Sequence, residues 1–173
     1  TAATRAAAGG HGDVIRVLYE AGVDLSAPNG RGNTPAITAA GFGQANVIRV
    51  LHELGVDLTV PDGHGHTPAS HAAGNGEVGV IQALHELGVD LAAQDGNGWT
   101  PATMAARRGH ADVIRALAEA AVDLNAQDGN GYTPATRAAA NGHADVIRAL
   151  AEAGVDLNAQ DGHGNTLATL AAH

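Results

Sequence analysis

Threonine recurs at Thr1, Thr34, Thr67, Thr100, Thr133 and Thr166, every 33 residues, and the period never slips. Self-similarity at a fixed interval of this length restricts the chain to a repeat architecture, in which one supersecondary unit stacks on the next and touches only its neighbours. Proline follows at Pro35, Pro68, Pro101 and Pro134, and glycine stands two residues before the threonine at Gly32, Gly65, Gly98, Gly131 and Gly164. One full unit, Asp95 to Gln127, reads DGNGWTPATMAARRGHADVIRALAEAAVDLNAQ.

The chemistry of that unit predicts its shape. Thr100 is placed to cap a helix beginning at Pro101, where a fixed φ helps and a missing N–H costs nothing. This short first helix ends near Gly109. A second helix opens at His110 or Ala111, with Val113, Ile114 and Leu117 on one face and Arg115 and Glu119 four apart on the other. Glycine closes the second helix at Gly22, Gly55, Gly88 and Gly154, a left-handed stop. Ala121 takes that place in one unit and costs roughly 1 kcal/mol if its φ is positive. Asp-Gly and Asn-Gly pairs then turn the chain in a hairpin before the next threonine.

Period and motif together resemble the ankyrin repeat, with its T-P-L-H-x-A core. The resemblance runs through the whole chain. It implies an all-α solenoid of stacked helix-turn-helix units joined by β-hairpin loops, a single array over 1–173 of about five to six units with both terminal units partial. At roughly 8–10 Å between helices, the rod is on the order of 50 Å long. The sequence departs from the family where leucine and histidine follow Thr-Pro: here stand Ala102-Thr103, Ala135-Thr136 and Ala168-Thr169, with Ala36-Ile37 and Ala69-Ser70 as variants. The histidine that links neighbouring repeats in the family is missing, and a threonine hydroxyl is the expected shorter substitute. Leu167 replaces the proline of the last unit.

Composition agrees with thin, closely packed elements. The chain of 173 residues has four aromatic residues, no cysteine and no lysine. Without cysteine there is no disulfide, no thiolate catalysis and no cysteine-ligated zinc. This fits a reducing, cytoplasmic compartment, although nothing in the sequence assigns one. No apolar run of about eighteen residues or basic-then-apolar leader is present, so neither a membrane span nor a signal peptide is expected. The absence of an initiator methionine suggests a fragment, whose cut ends would expose apolar faces and favour end-to-end association.

In a repeat lattice the constant slots serve folding and the varying slots carry function. The resemblance places partner contacts on a concave surface made of hairpin tips and the exposed side of the first helices. Candidate contacts among the residues in those slots are Arg31, Phe42, His64, His66, His71, Trp99, Met104, Arg107, Arg108, Tyr132 and Arg137, with His173 in the last unit. Aromatic and arginine side chains are typical interface anchors. The alternative for Trp99 and Tyr132 is that they merely pack on each other.

Charge divides along the same line. All 18 acidic residues occupy constant slots, as do Arg16, Arg49, Arg115 and Arg148, each four residues before a glutamate and expected to pair with it along an exposed helix face. The other five arginines, Arg5, Arg31, Arg107, Arg108 and Arg137, stand in varying slots, so a net charge of −9 hides a locally basic surface. Such a surface favours an acidic or phosphorylated protein or peptide. Nucleic acid is not expected, because the total field repels phosphate.

The stretch DGHGHTPASH brings His64, His66 and His71 close in sequence. No carboxylate occupies the neighbouring varying slots and no second shell is evident, so no metal site and no cofactor are expected. His11, His110 and His143 recur at one constant slot and are read as structural. The acids sit at fixed spacing and Gly-x-Gly marks hairpins rather than a phosphate loop, so no catalytic constellation is indicated. The leading expectation is a non-enzymatic protein-binding scaffold anchored around Trp99, Tyr132, Met104, Arg107, Arg108 and Arg137. Its rivals are an architectural or targeting module of a larger enzyme or effector, and an artificial consensus-like array, the latter suggested by near-identical units such as VDLNAQDGNG and VDLNAQDGHG.

Overall fold

The computed structural model describes residues 1–170. Its first helices are α1 (Ala2–Ala8), α3 (Pro35–Gly41), α5 (Pro68–Asn75), α7 (Pro101–Arg108), α9 (Pro134–Ala140) and α11 (Leu167–Leu170). The second helices are α2 (Gly12–Glu20), α4 (Ala45–Glu53), α6 (Val78–Glu86), α8 (Ala111–Glu119) and α10 (Ala144–Glu152). First helices pack on first helices and second on second, in two parallel rows. The hairpin loops leave at one edge of the first row and form no regular strand among the described residues.

Each first helix starts as its residues require. The Thr100 hydroxyl accepts from the Thr103 amide at 3.1 Å, and the Thr103 hydroxyl accepts from the Thr100 amide at 3.1 Å. The same reciprocal box closes the starts of α1, α5 and α9. This explains threonine or serine after alanine in the core motif, and it corrects one expectation. The hydroxyl does not replace the family's inter-repeat histidine, because Thr103 donates it back to the Thr100 carbonyl at 3.1 Å.

Links between units come from other slots. The Nε2 of His110 donates to the Gly74 carbonyl at 3.0 Å and that of His143 to the Arg107 carbonyl at 2.9 Å, so these histidines are structural as expected. Gln44 reaches the Ala8 carbonyl from the equivalent position. The hairpins are tied by Gly96 N–H to Gly65 O and Gly129 N–H to Gly98 O, both at 2.7 Å. A β-carbon on Gly129 would lie 2.9 Å from the Gly98 α-carbon, so the tie requires glycine.

Burial follows the two rows. Ala39, Ala40, Ala72, Ala73, Ala105 and Ala106 are fully buried, and their small size lets the first helices approach closely. Val47, Ile48, Leu51, Val80, Ile81, Leu84, Val113, Ile114 and Leu117 fill the space between the rows. The second helices expose their arginines, but not in the expected pairs. Arg16 bonds Glu53, Arg49 bonds Glu86 at 2.8 Å and Arg115 bonds Glu152 at 3.2 Å, each reaching across to the next unit. Arg115 and Arg148 also hold the aspartate three residues back. Gln82 stands where the missing arginine would meet Glu119. Ala121 has a φ of 56°, the left-handed conformation its slot predicts.

Candidate functional site

The hairpin edge is built on four buried carboxylates. Asp62, Asp95, Asp128 and Asp161 open the hairpins, each between 4% and 8% exposed. In each case Oδ1 accepts the amides two and four residues ahead, as Asp95 does from Asn97 at 2.9 Å and Trp99 at 3.0 Å. This rigid Asx turn leaves Oδ2 for a side chain in a varying slot. His71 meets Asp62 at 2.9 Å, and His66 meets Asp95 of the following hairpin at 2.8 Å. Arg137 meets Asp128 through Nε at 3.1 Å and Nη2 at 2.9 Å, and Asn165 donates to Asp161 at 3.2 Å.

Burial pushes the Asp62 carboxyl up, but hydrogen bonds from the His71 imidazole and the His66 and His64 amides outweigh it and hold the group below its ordinary value. Asp161 is likewise raised by burial and lowered further by the Asn165 and His163 amides, the Asn165 amide side chain and the charge of His163. The constant acids therefore lie beneath the varying side chains and anchor them. Sequence spacing concealed this, since His66 and Asp95 lie 29 residues apart.

Arg137 is not a free anchor. Its guanidinium carbon lies 4.1 Å from the Trp99 ring centroid and 3.9 Å from that of Tyr132, between the two aromatic slots and on top of Asp128. Trp99 and Tyr132 are thus bridged by a cation instead of packing directly on each other. Tyr132 also meets His163, with ring centroids 4.6 Å apart. Arg107 extends the row, 5.0 Å above Trp99. Each such contact contributes about 0.5–2 kcal/mol, according to how far it is desolvated.

The other predicted residues divide. Arg31, Arg107 and Arg108 are exposed and form no ion pair among the described residues, and Phe42 is 65% exposed. Met104 is 6% exposed and packs beside Gly74 in the core, so it is removed from the partner surface; the alanine-rich first row leaves a gap that its flexible side chain fills. His64 is exposed at its hairpin tip, where its carbonyl accepts from Asn97 at 2.7 Å. His66 and His71 meet edge to face at 5.5 Å, each turned to a different aspartate. Among the described residues no group of three or more histidines, cysteines or acids is placed to hold a metal ion. His173 lies outside the described residues.

Guanidinium groups, aromatic rings and imidazoles thus line one strip along the hairpin edge. Among the described residues no helix is long and apolar enough to cross a membrane. No curated protein matches the chain. A family model described as ankyrin repeats in three copies matches residues 2–95 and again 69–161. Ankyrin repeats are in general protein–protein interaction modules, typically without enzymatic activity. With the 33-residue period and the two stacked rows of helices, this match shows that the chain belongs to the ankyrin-repeat family.

Proposed function

We propose that the chain is a non-enzymatic scaffold that binds an acidic or phosphorylated segment of a partner protein on its concave edge, around Trp99, Arg107, Arg108 and Tyr132. The observation that carries this reading is the contrast between Arg137 and its neighbours. Arg137 is neutralised by Asp128 and fixes the two rings, whereas Arg107 stands exposed over Trp99 and Arg108 is exposed at the next position of α7, neither with an acid. Guanidinium forks without an internal partner favour carboxylate or phosphate groups. A ring already held in place loses little freedom when it is covered.

The test is partner affinity at low and moderate salt. Reversing charge at Arg107 and Arg108 weakens binding and lowers its salt dependence, while the fold stays intact and Tm falls by no more than loss of the Arg107–Trp99 contact explains. Trp99→Ala costs roughly 2 kcal/mol or more of binding energy. Full affinity in the charge-reversed protein places the binding surface elsewhere. Arg137 is a poor probe, because removing it strands the buried Asp128 carboxylate and destabilises the fold by about 3–5 kcal/mol.

A further inference from the structure

Twice along the array an aromatic side chain and arginines without an acid fall in the same unit; Phe42 is exposed and Trp99 partly buried. The second such group is the one just described, in the unit of α7. The first is in the unit of α3, where Arg31 is exposed at the hairpin tip before the helix and Phe42 caps its far end. Phe42 is 65% exposed, the highest value among the large hydrophobic side chains. Neither Arg31 nor Arg5 on α1 forms an ion pair among the described residues. An aromatic ring left in solvent in a chain with four aromatics, in a unit whose hairpin-tip arginine lacks an acid, has the character of an anchor.

The unit between them differs. It carries no arginine, and its varying slots hold His64, His66, His71 and Asn75. Three of these are tied internally: His66 to Asp95, His71 to Asp62, and the Asn75 side chain to the Gly41 carbonyl at 3.0 Å. The edge therefore alternates: a basic aromatic group, an internally satisfied unit, and a second basic aromatic group. Two unit steps of roughly 8–10 Å separate the two groups by just under about 20 Å. An extended chain advances about 3.3 Å per residue, so roughly six residues bridge that span.

Building on the proposed acidic partner, we infer that this surface is bipartite. Its ligand is a single extended polypeptide segment with two acidic clusters about six uncharged residues apart, one at Arg31 and Phe42 and the other at Trp99, Arg107 and Arg108. Either group alone holds one cluster weakly. Once one cluster is bound, the other is presented at an effective concentration in the millimolar range, which multiplies the affinity without any new kind of contact.

Fluorescent synthetic peptides test this with the whole chain at about 0.15 M salt, where long-range attraction is screened beyond roughly 8 Å. One peptide carries a single block of four glutamates and a neutral tail. The other carries two such blocks separated by six neutral residues. The two-block peptide binds at least tenfold more tightly, and Arg31→Ala alone or the pair Arg107→Ala and Arg108→Ala each bring it to within about threefold of the single block. All the substituted side chains are exposed, and matched melting curves confirm an intact fold. A two-block peptide no more than twice as tight as the single block overturns the inference, as does indifference to either substitution. If only the arginine pair on α7 matters, one group suffices and the acidic-partner reading survives. If neither peptide binds, that reading falls as well.

Discussion

Replacing Ala121 with glycine stabilises the array. The residue sits at a left-handed helix stop with φ 56°, where the equivalent Gly22, Gly55, Gly88 and Gly154 lie between 77° and 81°. A β-carbon built on any of those four glycines meets nothing within 4 Å, and Ala121 itself is exposed, so the methyl contributes no packing that its removal would lose. Only two backbone effects remain. A β-carbon in the left-handed region costs about 1–2 kcal/mol. Glycine enlarges the unfolded ensemble and returns about 0.4–1 kcal/mol of that. The net gain is roughly 0.5–1 kcal/mol, which for a chain of this length raises Tm by about 1–4 °C. Urea melts followed by circular dichroism and fitted with a shared slope measure it. Gly88→Ala, the reverse change in the neighbouring unit, loses a similar amount. Unchanged or lower stability for Ala121→Gly, or no loss for Gly88→Ala, refutes the backbone argument.

Gln82→Arg supplies the missing rung opposite Glu119 and gains about 0.2–0.5 kcal/mol in low-salt melts; high salt removes the gain. Acid acts through the hairpin carboxylates. Asp62 and Asp161 have folded-state values held below the ordinary aspartate value of 3.8, so their contribution is present above that value and disappears as pH falls through the lowered one. Melting temperatures between about pH 5 and pH 2 show this decline, and Asp62→Asn reduces it. Val14 is 47% exposed, whereas Val47, Val80, Val113 and Val146 in the same slot are fully buried, so a second copy of the 173-residue chain is expected to cover this face. Sedimentation shows species larger than a monomer at high concentration and Val14→Glu abolishes them; a wild-type chain that stays monomeric refutes the association.

What could be read from the sequence was what one unit imposes on itself. Threonine caps, proline starts, glycine stops and the Val113–Ile114–Leu117 face are local, and Ala121 gave away its strained backbone by standing in a glycine slot. What escaped depends on neighbours. Arg16, Arg49 and Arg115 point to the next unit's glutamate, 37 residues on, because that carboxylate lies alongside in the adjacent helix. A free Arg137 and a free Met104 were both expected from their slot, which varies in residue type. The buried Asp128 oxygen captured the guanidinium, and the gap beside Gly74 captured the thioether. Residue type marked which slots vary; only packing decides whether a varying side chain faces outward.

The hairpin aspartates divide their two oxygens between two tasks. Oδ1 is fully engaged by backbone amides whatever the surrounding side chains are, while Oδ2 receives an imidazole in two units, a guanidinium in a third and an amide in a fourth. The loop is consequently a standard socket with exchangeable plugs. Swapping the plug redirects an aromatic ring or releases a cation at the edge without redrawing the backbone that carries it. A library confined to the Oδ2 partners and their ring neighbours therefore explores new recognition surfaces on a fixed chassis.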